Sequence, residues 1–330
     1  MTRITDIQVA RNLLNAINKN RLQMDRASNE LSTGIKSPEP GDTKNGATIS
    51  QLRNGLVRID EQKLRAETVL SQLSFQDDIL AEANDTLIRA KEVAAEAANE
   101  TVSDVQRASM AEEIFALRDQ IVSLANSKFG GRFIYAGAAD DQPAFSPTTA
   151  FTNPASGPAS VRYAYTTNSG NNLTRSVGVS DNLSVKVNTA GSAVFQNAIF
   201  AMERLGRAMA GFRTNPAPPA APDGSGTAFT FPQDFQQQTQ DIQASLDLIE
   251  TARQQDVMTE RVNLGGRLTR VQTAKSILDL TKTNTTTVLS SLQDADITES
   301  ATKLTQAQTA LQASLQITGT LLNQSILNFL

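Results

Sequence analysis

The chain has no cysteine, no histidine and no tryptophan among its 330 residues. Without Cys and His, the usual zinc, haem and iron–sulfur ligand sets cannot be assembled. Ser-His-Asp and Cys-His nucleophilic sites are excluded too, and the commonest general base at neutral pH is missing. Paired carboxylates remain chemically open. The pairs Asp77-Asp78 and Glu112-Glu113 lie in helical patterning, however, where a solvated face explains them. The expectation is a chain that is not an enzyme and takes no cofactor and no metal. Excess charge of one sign is lacking as well: 30 basic against 34 acidic residues give a net −4 with no basic run, so nucleic acid is not an expected partner. The first seven residues hold no apolar core of the kind a cleaved signal peptide needs. No window approaches the ~20 apolar residues of a membrane span, so membrane insertion is not expected.

What is present falls into three zones. Nine of the 11 prolines lie between Pro143 and Pro232, and 13 of the 16 Phe and Tyr residues lie between Phe129 and Phe235. Residues 1–128 and 236–330 are instead rich in Ala, Leu, Gln, Asn, Ser and Thr. Such a shift marks helical flanks around an inserted strand-and-turn segment. In the first flank, Ile7, Ala10, Leu14, Ile17, Arg21, Met24, Ser28, Leu31 and Ile35 follow an unbroken 3,4 spacing, which is a heptad seam. Arg21 enters that seam either to meet a partner's acid or by laying its stem on it, with Leu22 filling the core beside it.

A second seam runs from Leu52 through Ile59, Gln62, Ala66, Val69, Leu73, Gln76, Leu80, Ala83, Leu87, Ala90 and Ala94 to Ala97. It predicts a helix of about 45–50 residues, ~70 Å long. A third helix opens at the capping box Ser103-Asp104-Val105-Gln106, buries Met110, Ile114, Leu117, Ile121 and Leu124, and ends before Gly130-Gly131. Phe195, Ile199, Met202 and Met209 predict a shorter one. The helical pattern resumes from Phe235 through Ile242, Leu246, Ile249, Leu264, Leu268, Val271 and Leu278. The pair Gly265-Gly266 within it permits a close helix approach, a bend or a break. Thr285-Thr286-Thr287-Val288 is expected to loosen or end the helix, because β-branched residues are weaker helix formers. A last helix runs from Asp296 to Phe329, with Ala301, Leu304, Leu311, Leu315, Leu322 and Phe329 on one seam.

In the middle, 160–165 and 176–187 cluster strand formers, with a turn over 168–172 between them. Asn215 to Gly226 reads as a Pro/Ala/Gly loop. The fold class expected is mainly α with an inserted small β domain: an elongated antiparallel bundle or coiled coil with its N- and C-terminal helices paired. The expected domains are a terminal coiled-coil assembly domain (1–45 and 293–330), a helical bundle (46–138 and 236–292), a β-rich outer domain (139–192) and a loop (214–235). Residues 193–213 belong to the bundle or to the β region.

The chain ends carry the functional expectation. Ser37 to Asp42, with its two prolines, separates the first seam from the rest, and the last helix stays apolar to Leu330. A helix of ~30 residues with an open seam orders only on a partner. The other terminal helix is the simplest partner, followed by neighbouring copies. The candidate assembly residues are Ile7, Leu14, Ile17, Met24, Leu31, Ile35, Leu304, Leu311, Leu315, Leu322, Ile326 and Phe329.

Several stretches resemble a known family. Leu31-Ser-Thr-Gly34-Ile-Lys36, followed by the Pro/Asp/Gly stretch to Ile49, is similar to the N-terminal signature of the flagellin superfamily. Leu321 to Leu330 is similar to its C-terminal helix. The segment Leu124 to Gly137 and the run Leu264-Gly-Gly-Arg-Leu268 resemble the hook–filament junction branch. One departure stands out: the paired acids common after the signature are reduced to Asp42 followed by Thr43.

The resemblance implies an extracellular flagellar subunit, exported through the flagellar type III channel without a cleaved signal. It would assemble in a ring of its own copies as an adaptor that joins the hook-side junction protein to the flagellin filament. An export chaperone on the C-terminal helix is implied too. A flagellin filament subunit is the alternative. A secreted adhesin-like or type III secretion structural protein, recognised by ligand binding through residues 139–232, is a second.

Overall fold

A computed structural model describes residues 2–36, 43–148, 162–166, 173–214 and 226–327. The elements run α1 (Thr2–Thr33), α2 (Thr43–Ala97), α3 (Asp104–Ala125), β1 (Lys128–Phe129), β2 (Arg132–Phe133), β3 (Phe145–Thr148), β4 (Arg162–Tyr165), β5 (Ser176–Ser180) and β6 (Leu183–Lys186). There follow α4 (Gly191–Val194), α5 (Gln196–Met209), α6 (Phe235–Thr251), a π-helical stretch (Ala252–Met258), α7 (Thr259–Gln293) and α8 (Ile297–Leu327). The chain is thus mainly α with a small antiparallel β insert. The stretch from Ser37 to Asp42, the turn over 168–172 and most of the loop from 215 lie outside the described residues. Two compact units divide the chain: residues up to Glu61 with those from Asp279 onward, and Gln62–Leu278.

The second unit is built on the α2 seam. Ala66, Val69, Leu73, Leu80, Ala83, Leu87, Ala90, Ala94 and Ala97 are all buried, and so are the polar Gln62 and Gln76 that share their spacing. Each glutamine has a structural task. The Gln72 and Gln76 amides both donate to the Val187 carbonyl, at 2.9 and 2.7 Å, and Gln62 donates to Asp181 at 2.7 Å. They pin the β5–β6 hairpin to α2, and the Val187 carbonyl just past β6 is not left unpaired in a buried setting. At the start of α3 the capping box forms in both directions: Gln106 N–H donates to Ser103 Oγ at 3.4 Å, and Ser103 N–H donates to Gln106 Oε1 at 3.0 Å. Helix α5 packs on α3 and α6. Its contact with α3 requires Gly206, where a Cβ would stand 2.6 Å from the Phe115 ring.

Four features depart from what the sequence predicts. The strands 160–165 and 176–187 do not pair with each other. β4 pairs antiparallel with β3, Phe145 opposite Tyr165, while β5 and β6 form their own hairpin around Asp181-Asn182. Second, α7 passes through the Thr285–Val288 run without a break. Threonine hydroxyls there donate back to carbonyls four residues earlier, Thr283 to Asp279 and Thr287 to Thr283, each at 2.9 Å. They offer the backbone no competing partner outside the helix. Third, Gly265 and Gly266 lie inside α7, and a Cβ added at either would meet nothing within 4 Å, so two of the three expected roles, a close approach and a break, are absent there.

The fourth departure is the π-helical stretch. Buried positions run Ile242, Ser245, Ile249, Ala252 and then Val257, a step of five. One extra residue is absorbed there, and both flanking faces still point into the core. Glu250 anchors the stretch. The Arg253 guanidinium at 2.6 Å, with the Gln254 amide and Lys91 behind it, holds its carboxyl at about 2, against the opposing effect of burial.

Charged side chains are also buried in this unit. Arg118 on α3 pairs with Glu203 on α5, and both are under 5% exposed. Arg207 stands 4.0 Å from the same carboxylate, and Arg118 also meets Asp119 at 2.7 Å. Arg107, fully buried, donates to Gln238 at 2.8 Å and to the Asn99 carbonyl at 3.1 Å.

Candidate assembly interface

The first unit is centred on α1 and α8, which pack on each other in opposite directions. Asn20 meets Ser314, Glu30 meets Ser300 and Ile35 meets Asp294, so residue numbers rise on one helix as they fall on the other. The Leu31–Lys36 stretch makes the clasp at the loop end. Gly34, at φ +69°, ends α1 in the left-handed conformation that glycine adopts without strain. The chain then reverses, and Lys36 N–H donates to the Gln293 carbonyl while Ala295 N–H donates to the Gly34 carbonyl, both at 2.8 Å. Asp296 caps α8 by accepting from Thr298 N–H at 2.8 Å and Glu299 N–H at 3.1 Å. In the same unit, α2 and α7 are linked by Arg53 with Gln293 and by Lys282 with Asp60.

The backbone N–H groups of Glu299 and Thr298 hold the Asp296 carboxyl below its ordinary value. A depressed carboxyl stabilises the fold above its unfolded pKa, and the effect is lost as pH falls through the folded one. Amide exchange at Thr298 and Glu299 should therefore speed up, relative to the rest of α8, only below about pH 4. Asp296→Asn should abolish that pH step.

The α1–α8 contact uses a different pair of columns from the one the heptads predict. In α1 the column Ile17, Met24 and Leu31 is common to both, with Ile17 and Met24 half-buried. The second column is Leu13, Asn20, Ala27 and Gly34, while Leu14, Arg21, Ser28 and Ile35 are exposed. α8 shows the same one-residue rotation. Leu304 and Leu311 are half-buried, and the second column is Ser300, Ala307 and Ser314, with Ala301 and Leu315 exposed. Small residues explain the rotation: Ala27 and Gly34 on one helix and Ser300, Ala307 and Ser314 on the other let two backbones approach closely. Leucines in those columns would hold them apart. Leu22 does not fill a core beside Arg21 either; it is exposed.

The rotation leaves large apolar side chains in water. Leu14 is 59% exposed, Leu315 54% and Ile317 50%, with Leu31 and Ile35 just under 40%. Val57, Leu280 and Val288 add to them in the same unit. Ile7, Leu322 and Ile326 lie within α1 and α8, but their side chains are outside the described residues, as is the whole of Phe329. Asn20, Ser314 and Ile317 are not among the residues that the heptads single out. For Ser314, and for the Asn20 it meets, the available signal is the recurrence of small residues every seven positions at Ser300, Ala307 and Ser314. Among the described residues, no helix is long and apolar enough to cross a membrane. A surface of this kind, with polar side chains between exposed leucines on paired helices, is suited to burying further helices against it.

Comparison with known proteins bears on which assembly this is. The family model for the bacterial flagellin N-terminal helical region matches residues 4–140, and that for the C-terminal helical region matches 246–330. Flagellar hook-associated protein 3 of Escherichia coli K12 is 33% identical over 119 residues, 36% of this chain and 38% of that protein. Its counterpart in Salmonella typhimurium LT2 is 28% identical over 138 residues, 41% of this chain and 44% of that protein. The matched part thus spans about two fifths of these curated relatives. The crystal structure of Xanthomonas campestris FlgL aligns with a TM-score of 0.54 at 17% identity, over 73% of this chain and 99% of that one, a likeness of fold.

Proposed function

This chain belongs to the flagellin superfamily, and from that premise we propose that it is a structural adaptor at the junction between flagellar hook and filament. Its partners are further copies of itself in a ring, the hook-side junction protein on one side and flagellin on the other. It reaches that place through the flagellar type III export channel, with an export chaperone covering its C-terminal helix beforehand. The reading is supported most by one observation: the terminal helices satisfy each other through small residues, while Leu14, Leu31, Ile35, Leu315 and Ile317 stay exposed. Burying what remains exposed of each such side chain gains about 1 kcal/mol, so several together at a subunit contact favour association. The similarity to hook-associated protein 3 favours the junction over the filament body.

Polymerisation of the purified chain alone tests the choice between adaptor and filament subunit. Offered seeds and viewed by negative-stain electron microscopy, it should form short caps or nothing. Long filaments grown from this chain by itself would make it a flagellin.

A further inference from the structure

Among the described residues, the α1–α8 contact matches polar residues to polar residues at two places in its seam. Asn20 Nδ2 donates to Ser314 Oγ at 3.2 Å, and that hydroxyl in turn donates to the Ala310 carbonyl at 2.8 Å. Ser300, 3% exposed, donates its hydroxyl to Glu30 Oε2 at 3.2 Å. Between them the seam holds Met24, Ala27, Ala307 and Leu311. Apolar residues alone do not fix an antiparallel pair, because a heptad seam looks much the same after a shift of seven residues. The polar pairs do not tolerate such a shift. Sliding α8 by one heptad sets Asn20 against Ala307 in one direction and Glu30 against Ala307 in the other. Either way, a half-buried amide or carboxylate faces a methyl group and loses its partner.

We propose that Asn20 and Glu30 are specificity-determining residues that hold the terminal helix pair in a single register, carrying the alignment set by the Ile35–Asp294 clasp into the middle of the helices. The exposed Leu14 and Leu315 then stand at one fixed offset. A ring of copies requires that, because each subunit must present the same surface as its neighbour. The inference concerns the isolated chain, so its test can fail independently of the proposed place in the flagellum.

The absence of native cysteine makes the test direct. Exposed Lys19 and Thr302 are replaced by Cys in the full-length monomer and spin-labelled, and their separation is measured by double electron–electron resonance. The parent should give one narrow distance. Asn20→Leu combined with Glu30→Leu should add a second, displaced by up to ~10 Å, the length of seven residues at 1.5 Å each. The exchange Asn20→Ser with Ser314→Asn, which keeps the polar match, should return the single distance. The proposal is overturned if the double-leucine variant keeps only the parent distance, or if the exchange variant gives two. It is overturned as well if the leucines leave only a broad distribution, since the polar pairs would then serve helix pairing rather than register.

Discussion

Replacing Leu14 and Leu315 by Asp should abolish assembly while leaving the monomer folded. Both side chains are more than half exposed in the chain by itself, so their loss removes little of its core. Helix propensity and surface effects together amount to no more than about 1 kcal/mol per site. In an assembly that buries the exposed half of each leucine, each substitution forfeits about 1 kcal/mol of apolar burial and adds the cost of desolvating a carboxylate. At about 1.4 kcal/mol per tenfold, the pair weakens each subunit contact by a factor of ~100 or more. Sedimentation or light scattering reads the assembly, and denaturant unfolding reads the monomer. A double variant that assembles like the parent would remove these leucines from the interface. One that fails to fold would place them in the core instead.

Glu203→Ala should cost about 3–5 kcal/mol, because it leaves Arg118 and Arg207 facing each other in a buried site without their shared carboxylate. For a unit of this size each kcal/mol lowers the melting temperature by about 2–4 °C, so a drop on the order of 10 °C is expected. Pairing Glu203→Leu with Arg118→Met and Arg207→Met should recover most of that loss. Removing the carboxylate together with both arginines that share it leaves neither arginine's charge buried, and apolar replacements of similar volume are often neutral. The comparison separates a buried charge held by its partner from an ordinary packing defect, which further substitutions would deepen. Recovery that fails to appear would mean that Arg118 is held mainly by Asp119 and by the rings of Phe115 and Tyr163.

The chain shows which parts of such a fold are legible beforehand. The α2 seam and the Ser103 capping box can be read because each is local: one depends on a 3,4 spacing, the other on four consecutive residues. The β3–β4 pairing cannot, because a strand's partner is chosen by cross-strand side-chain packing that its own residues do not disclose. The rotation of α1 and α8 is hidden for a different reason. Heptad spacing weighs size and hydrophobicity, whereas the contact selects smallness, taking Gly34 over Ile35 and Ala307 over Gln308. That preference depends on how near a partner helix comes, which a single helix does not disclose. The buried pair Arg118–Glu203 is equally hidden, since a charge on a helix ordinarily marks a solvated face.

The π-helical stretch lies between these cases. The expected seam passes from Ile249 to Leu264, a gap of 15 residues where two heptads need 14. The surplus residue is therefore visible in the sequence, although its form as a π-helical turn is not. For the candidate interface, the spacing of the chain ends indicates that they carry exposed apolar side chains. Which of them remain free is decided by how the two helices pack on each other.

The most direct measurement is electron microscopy of intact flagella labelled with a gold-conjugated antibody raised against this chain. An adaptor at the hook–filament joint predicts label confined to a short zone between the two. Label distributed along the filament would contradict the account and make the chain a filament subunit.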